Sequence, residues 1–213
     1  MPNPHDELNA IIHDALRRDL DRLQMVAEQP QPPQRRTAVR EHGTWILDVL
    51  HHHHVGEDEG VWPRVLAKRP DLQPLVDEME TEHAALASAS DTLRSTLFDY
   101  GEGRSDESVL KQAVEQMRAA TLPHLDHEEQ ELMPIVLRTL DEADWKYLEK
   151  NHFRKGMAFT DQSLTAMWWL DGLDESRVWA VRGTIPAPVL WFMQRRYGPR
   201  YRSACQGAWG TAA

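Results

Sequence analysis

The sequence predicts an all-α fold: an up-down-up-down four-helix bundle over residues 1–140, followed by a helical, tryptophan-rich extension over 141–213. Three observations predict it. Apolar residues recur at helical spacing through four long stretches. Proline- or glycine-rich breaks separate those stretches. No strand pattern competes with them.

The first helix covers about 6–29, with Leu8, Ile12, Leu16, Leu20 and Leu23 on one stripe. Pro30-Gln31-Pro32-Pro33 breaks it. A second helix runs over about 35–69. Pro70 and Asp71 end it and open a third, which reaches about 100. Gly101-Glu102-Gly103 is the next stop, and the fourth helix covers about 105–140. Beyond Asp141, shorter helices are expected near 161–169, 175–182 and 189–197, broken by Gly and Pro. Six of the eight tryptophans lie there: Trp145, Trp168, Trp169, Trp179, Trp191 and Trp209. Ten basic and eight acidic residues give this stretch a net +2, which leaves −12 of the total −10 on the first 140 residues. The expected form is a lid, aromatic side on the bundle and basic side toward its acidic surface. The alternative is a docking surface for a partner or a membrane.

With a net charge of −10, the chain is a poor match for nucleic acid, and none is expected as a partner. One cysteine, Cys205, excludes disulfide scaffolds and thiolate metal sites. The start of the chain has no basic-then-apolar leader pattern, and the longest apolar run, 186–193, is too short to span a bilayer. The expectation is a soluble, cytoplasmic protein with no transmembrane segment.

The two halves of the bundle repeat one another. His13 matches His83 (83 − 13 = 70). His53 and Glu57 match His124 and Glu128 (124 − 53 = 71; 128 − 57 = 71). Pro63 matches Pro134 (134 − 63 = 71). At about 1.5 Å rise per residue, all four helices bring one of these histidines to nearly the same height. Leucines and other apolar residues at helical offsets place them on inward faces. His53 and Glu57, like His124 and Glu128, stand at i and i+4 and are neighbours.

Six imidazoles and carboxylates in one apolar layer are costly unless a cation is there to meet them. Four histidines and two glutamates are too many for one tetrahedral zinc. They suit two metals, each with two terminal imidazoles, bridged by the two carboxylates. That donor set favours iron, zinc or manganese over copper(I). His51, His52, His127 and His152 read as flanking, exposed or structural. Asp58 and Glu129, which follow the two glutamates, are alternative ligands if the helical phase is one residue off.

On His13, His53-x-x-x-Glu57 with Trp62-Pro63, His83, and His124-x-x-x-Glu128 with Met133-Pro134, residues 6–140 resemble the hemerythrin-like proteins, or HHE cation-binding domains. The resemblance implies two non-haem iron ions with an oxo or hydroxo bridge. Oxygen-carrying members have a fifth histidine one turn before the ligand on the third helix, and here that position is Met79. Two alternatives follow. Either His54 substitutes as a ligand, or a water fills the position. The implied function is an iron protein that meets a small oxidant (dioxygen, peroxide or nitric oxide) in sensing, storage or scavenging. The competing readings are a di-iron peroxidase or catalase-like enzyme and an iron-dependent regulator that binds a protein partner.

Overall fold

The computed structural model describes residues 4–210. Met1 to Asn3, part of the N-terminal reading above, and residues 211–213 lie outside it. All regular structure among the described residues is helical. The first helix is α1 (Pro4–Val26). The second, α2 (Pro33–Gly56), opens with Pro33 in its first turn, where a missing N–H costs nothing. It continues through a π-helical turn, Glu57–Val61, into α3 (Trp62–Lys68). A 3-10 turn, Pro70–Leu72, then leads to α4 (Gln73–Gly101). The last long rod begins at Asp106, whose carboxylate accepts from the backbone N–H of Ser108 (2.9 Å) and Val109 (3.2 Å). It comprises α5 (Glu107–His127), a second π turn, Glu128–Leu132, and α6 (Met133–Thr139).

The two π turns share one cause. Pro63 and Pro134 stand two residues past them. Each proline ring would strike the carbonyl four residues back, that of Glu59 or Gln130. Widening the turn by one residue moves that carbonyl aside. The Trp62 and Met133 N–H groups then bond to the carbonyls of Glu57 and Glu128, five residues earlier.

The long helices close a ring: α1 packs on α2, α2 on α4, α4 on α5, and α5 on α1. Two apolar clusters fill it. One holds Leu16, Leu50, Leu86 and Leu125; the other holds Val61, Trp62, Met79 and Leu132. Along α2 and its π turn the order is Leu50, then His53 to Glu57, then Val61. Along α4 it is Met79, His83, Leu86. The polar layer therefore lies between the two clusters.

The extension has five parts before its last helix: α7 (Glu142–Leu148), a π turn (Glu149–Phe153), α8 (Phe159–Leu170), a 3-10 turn (Glu175–Arg177) and α9 (Val178–Thr184). The last helix is α10 (Ala187–Trp209). Two features differ from the sequence expectation. α7 was not foreseen; it is set by a capping box between Asp141 and Asp144. α10 runs on through Gly198 and Pro199, where a stop was expected. Leu190, Met193, Tyr201, Cys205 and Ala208 form a buried stripe on both sides of the proline. Packing of that stripe against α2 and α8 outweighs the break.

The extension shares its core with the bundle. Trp168, Met193 and Trp209 belong to the same cluster as Ile11, Leu16 and Leu47. Trp179 and Trp191, at 37% and 63% exposed, are exceptions to the inward aromatic side, as are Tyr147, Phe159 and Phe192. Asp19, fully buried on α1, accepts from Arg22 (2.9 Å) and from the Trp168 indole (2.7 Å). Arg22 also pairs with Asp171 (2.6 Å), which accepts from the Tyr201 hydroxyl (3.1 Å). Charges cross the junction in both directions. Arg177 of the extension holds Glu7 and Asp14, while Arg64 and Lys68 of the bundle hold Asp144.

Candidate metal centre

The seven residues singled out in the sequence meet in one buried layer. α1 supplies His13, α2 supplies His53 and His54, α4 supplies His83 and α5 supplies His124. Glu57 and Glu128 are each the first residue of a π turn. Within the layer, two groups have ligand atoms within 4.8 Å of one another: His54, His83 and His124, and His13, His53 and Glu128. Glu57 lies between the groups. One of its oxygens is 3.2 Å from His53 Nε2 and the other 3.7 Å from His83 Nε2. Glu128 Oε2 is 3.3 Å from His13 Nε2, while its Oε1 accepts from the Asn9 amide at 3.3 Å.

Three imidazoles are held from behind by carboxylates. His13 Nδ1 is 2.8 Å from Glu129, His83 Nδ1 is 2.7 Å from Asp58, and His124 Nδ1 is 2.9 Å from Glu82. A carboxylate on Nδ1–H fixes the ring and turns Nε2 toward the interior as the free donor atom. His13 Nε2 and His53 Nε2 face each other at 3.4 Å, while other inward atoms lack partners. Nε2 of His54, His83 and His124, and Oε2 of both Glu57 and Glu128, are buried with no hydrogen-bond partner. Each such atom costs about 1–3 kcal/mol when left unmet. Five of them converging on one layer fit a cation.

The protonation pattern of the layer agrees. Burial depresses the His53 imidazole to about 3, helped by His13. Burial, with His83 beside it, holds His54 well below its usual value, and burial also lowers His124. Burial would lower His13 too, but the Glu128 and Glu129 carboxylates reverse this and lift it to about 9. Burial would raise Glu128, yet His13, His53 and His124 bring it down to about 2. Glu57 has no such cation; burial, together with Glu128 and Asp58, pushes it well above the carboxylate range. Both shifts favour the protonated forms of His13 and Glu57, with which a bound cation would compete.

Other residues separate clearly from this set. Met79 is fully buried in the apolar cluster, and His54 is grouped with His83 and His124. The His54 ring stacks on His83 with centroids 4.1 Å apart. Asp58 and Glu129, weighed as alternative ligands, sit behind the imidazoles instead. Their supporting roles are related by the repeat (129 − 58 = 71; 83 − 13 = 70). His127 shares Glu82 with His124, at 2.8 Å. His51 is exposed; His52 bonds to the Phe153 carbonyl at 2.7 Å. Sequence reasoning missed Glu82 and Asn9. Glu82 precedes His83 and faces α5, and only the pairing of α4 with α5 puts it behind His124. The Asn9 position follows from its place one turn before His13 on α1.

Residues 10–136 match the hemerythrin HHE cation binding domain family. No curated protein and no solved structure matches the chain. The matched span covers more than half of the 213 residues and includes every histidine and glutamate of the buried layer. By its paired His and His-x-x-x-Glu motifs, the helical ring around them and this match, the chain belongs to the hemerythrin HHE cation-binding family.

Proposed function

We propose that the layer binds two metal ions, non-haem iron in the first place, and that the protein uses them to meet a small oxidant such as dioxygen, peroxide or nitric oxide. His54, His83 and His124 would hold one ion, and His13 and His53 the other. Glu57 would bridge the two, with Glu128 as the second carboxylate. The carrying observation is the set of five buried, unpartnered donor atoms facing one another. Zinc or manganese would suit the same donors.

Bound iron supplies a redox-active, Lewis-acidic centre. The chain supplies its surroundings. Met117, Leu86 and Leu132 border the layer and limit water. Glu129, Asp58 and Glu82 hold three rings in orientation. Protons favoured on His13 and Glu57 compete with metal uptake, so affinity rises with pH. The expected result of elemental analysis on iron-supplied protein is about two ions per chain. His83→Ala should lower that occupancy sharply, while exposed His51→Ala should leave it intact. One ion per chain, or equal occupancy in the two variants, would sink the assignment.

A further inference from the structure

A cavity of about 810 Å³ lies between the bundle and the extension. Its wall includes His53 and Glu57, on the two-histidine side of the layer. A small oxidant needs far less room, about the ~30 Å³ of one water. The volume instead falls in the range of sites for whole organic ligands, roughly 300–1,000 Å³. The remaining wall is rich in aromatic and aliphatic side chains: Trp45, Val49 and Ile12 from the bundle, and Phe153, Trp168 and Met193 from the extension. Phe159 and Val189 also line it and stay 45% and 39% exposed, which makes an apolar rim. Charged lining residues are of both signs, Asp48, Glu149 and Asp161 against Arg154 and Lys155. The rim therefore selects neither anion nor cation.

We propose that this cavity binds an uncharged, largely apolar organic molecule and places one end of it against His53 and Glu57. The extension is then part of a binding site, because without it the cavity has only one wall. Placement beside the metal rests on the metal reading above; binding in the cavity does not.

The test uses the full chain and N-phenyl-1-naphthylamine, a neutral apolar fluorophore. The wild-type protein should bind it saturably, at one per chain. Val49→Trp fills the cavity from α2, and Val189→Trp blocks its exposed rim with little risk to folding. Each should raise the dissociation constant at least about tenfold. Val109→Trp, on the outer face of α5, should change nothing. Binding that does not saturate, or that is equal in all three variants, overturns the proposal. Cobalt(II) loading, checked by elemental analysis, should quench the bound fluorophore. Unquenched emission with a filled metal site would overturn the placement beside His53. A chain that takes up no metal yet shows the expected variant pattern would sink the metal reading and support the cavity.

Discussion

An imidazole becomes a metal donor when something behind it fixes its outer nitrogen and nothing in front of it competes for the inner one. His83 and His124 meet both conditions through Asp58 and Glu82; His13 is held by Glu129, with His53 and Glu128 beside its inner nitrogen. Removing a support should therefore be felt at the metal. Glu129→Ala should weaken metal binding by about 10- to 100-fold without removing a ligand, as read by chelator competition. Affinity equal to wild type would mean that the carboxylate serves only the Arg17 guanidinium, from which it also accepts at 2.9 Å. His54 has its Nε2 unpartnered inside the layer. His54→Ala should lower iron affinity and shift the near-ultraviolet absorption of the iron form. An unchanged spectrum would return His54 to a flanking role and leave the Met79 position to water. The convergence of these histidines and glutamates was legible because a His–Glu pair at i and i+4, repeated at one offset, has few structural explanations. Their supports were not. Asp58 and Glu129 are acidic residues next to acidic residues, and their direction depends on how the π turns set the helical phase.

Helix existence was legible from periodicity at the scale of the element, and so was the consequence of Pro63 and Pro134. The form of that consequence was not. A proline inside a helix ordinarily kinks it, and here a widened turn carries each rod onward, with its glutamate as the first residue. α10 was misread because a Gly-Pro pair is a local signal, and the stripe that overrides it matters only once α2 and α8 lie against it. Gly60, in the first π turn, allows a close approach of the extension. A Cβ there would lie 2.8 Å from His152 Cγ and 2.9 Å from Leu148 Cδ2. Gly60→Val should therefore cost about 1–3 kcal/mol in chemical denaturation. A loss below about 0.5 kcal/mol, the usual range for surface changes, would mean that the 149–153 turn yields freely.

At the scale of the whole molecule, the buried polar junction of bundle and extension contributes to acid stability. His42 lies in it, ringed by Trp45, Tyr201 and Trp209 and 3.8 Å from the Cys205 thiol. Burial lowers its imidazole from 6.5 to about 4, with Arg22 and Arg18 adding to the shift and Asp19 and Asp171 opposing it. The unfolded chain thus binds a proton that the folded chain refuses between pH 6.5 and 4. Stability falls as pH falls through that window, by at most about 3 kcal/mol from this group. His42→Asn should remove that part of the acid limb, so that wild type and variant diverge below pH 6.5. Parallel stability curves would show that His42 does not titrate this way. The two-part organisation was visible in composition, yet the depth of the junction was not, because Asp19 and Arg22 look like ordinary surface charges until Trp168 and Asp171 cover them. The repeat reaches further than the ligands. The π turns start at Glu57 and Glu128, and the helices after them start at Trp62 and Met133 (133 − 62 = 71). One helical hairpin carries one histidine and one His-x-x-x-Glu, half of the donors, and cannot bury its apolar face alone. Two such hairpins supply both missing halves to each other, which gives the layer a pseudo-two-fold layout. The position equivalent to His54 is Leu125 (54 + 71 = 125), so one half brings to the layer a histidine that the other lacks.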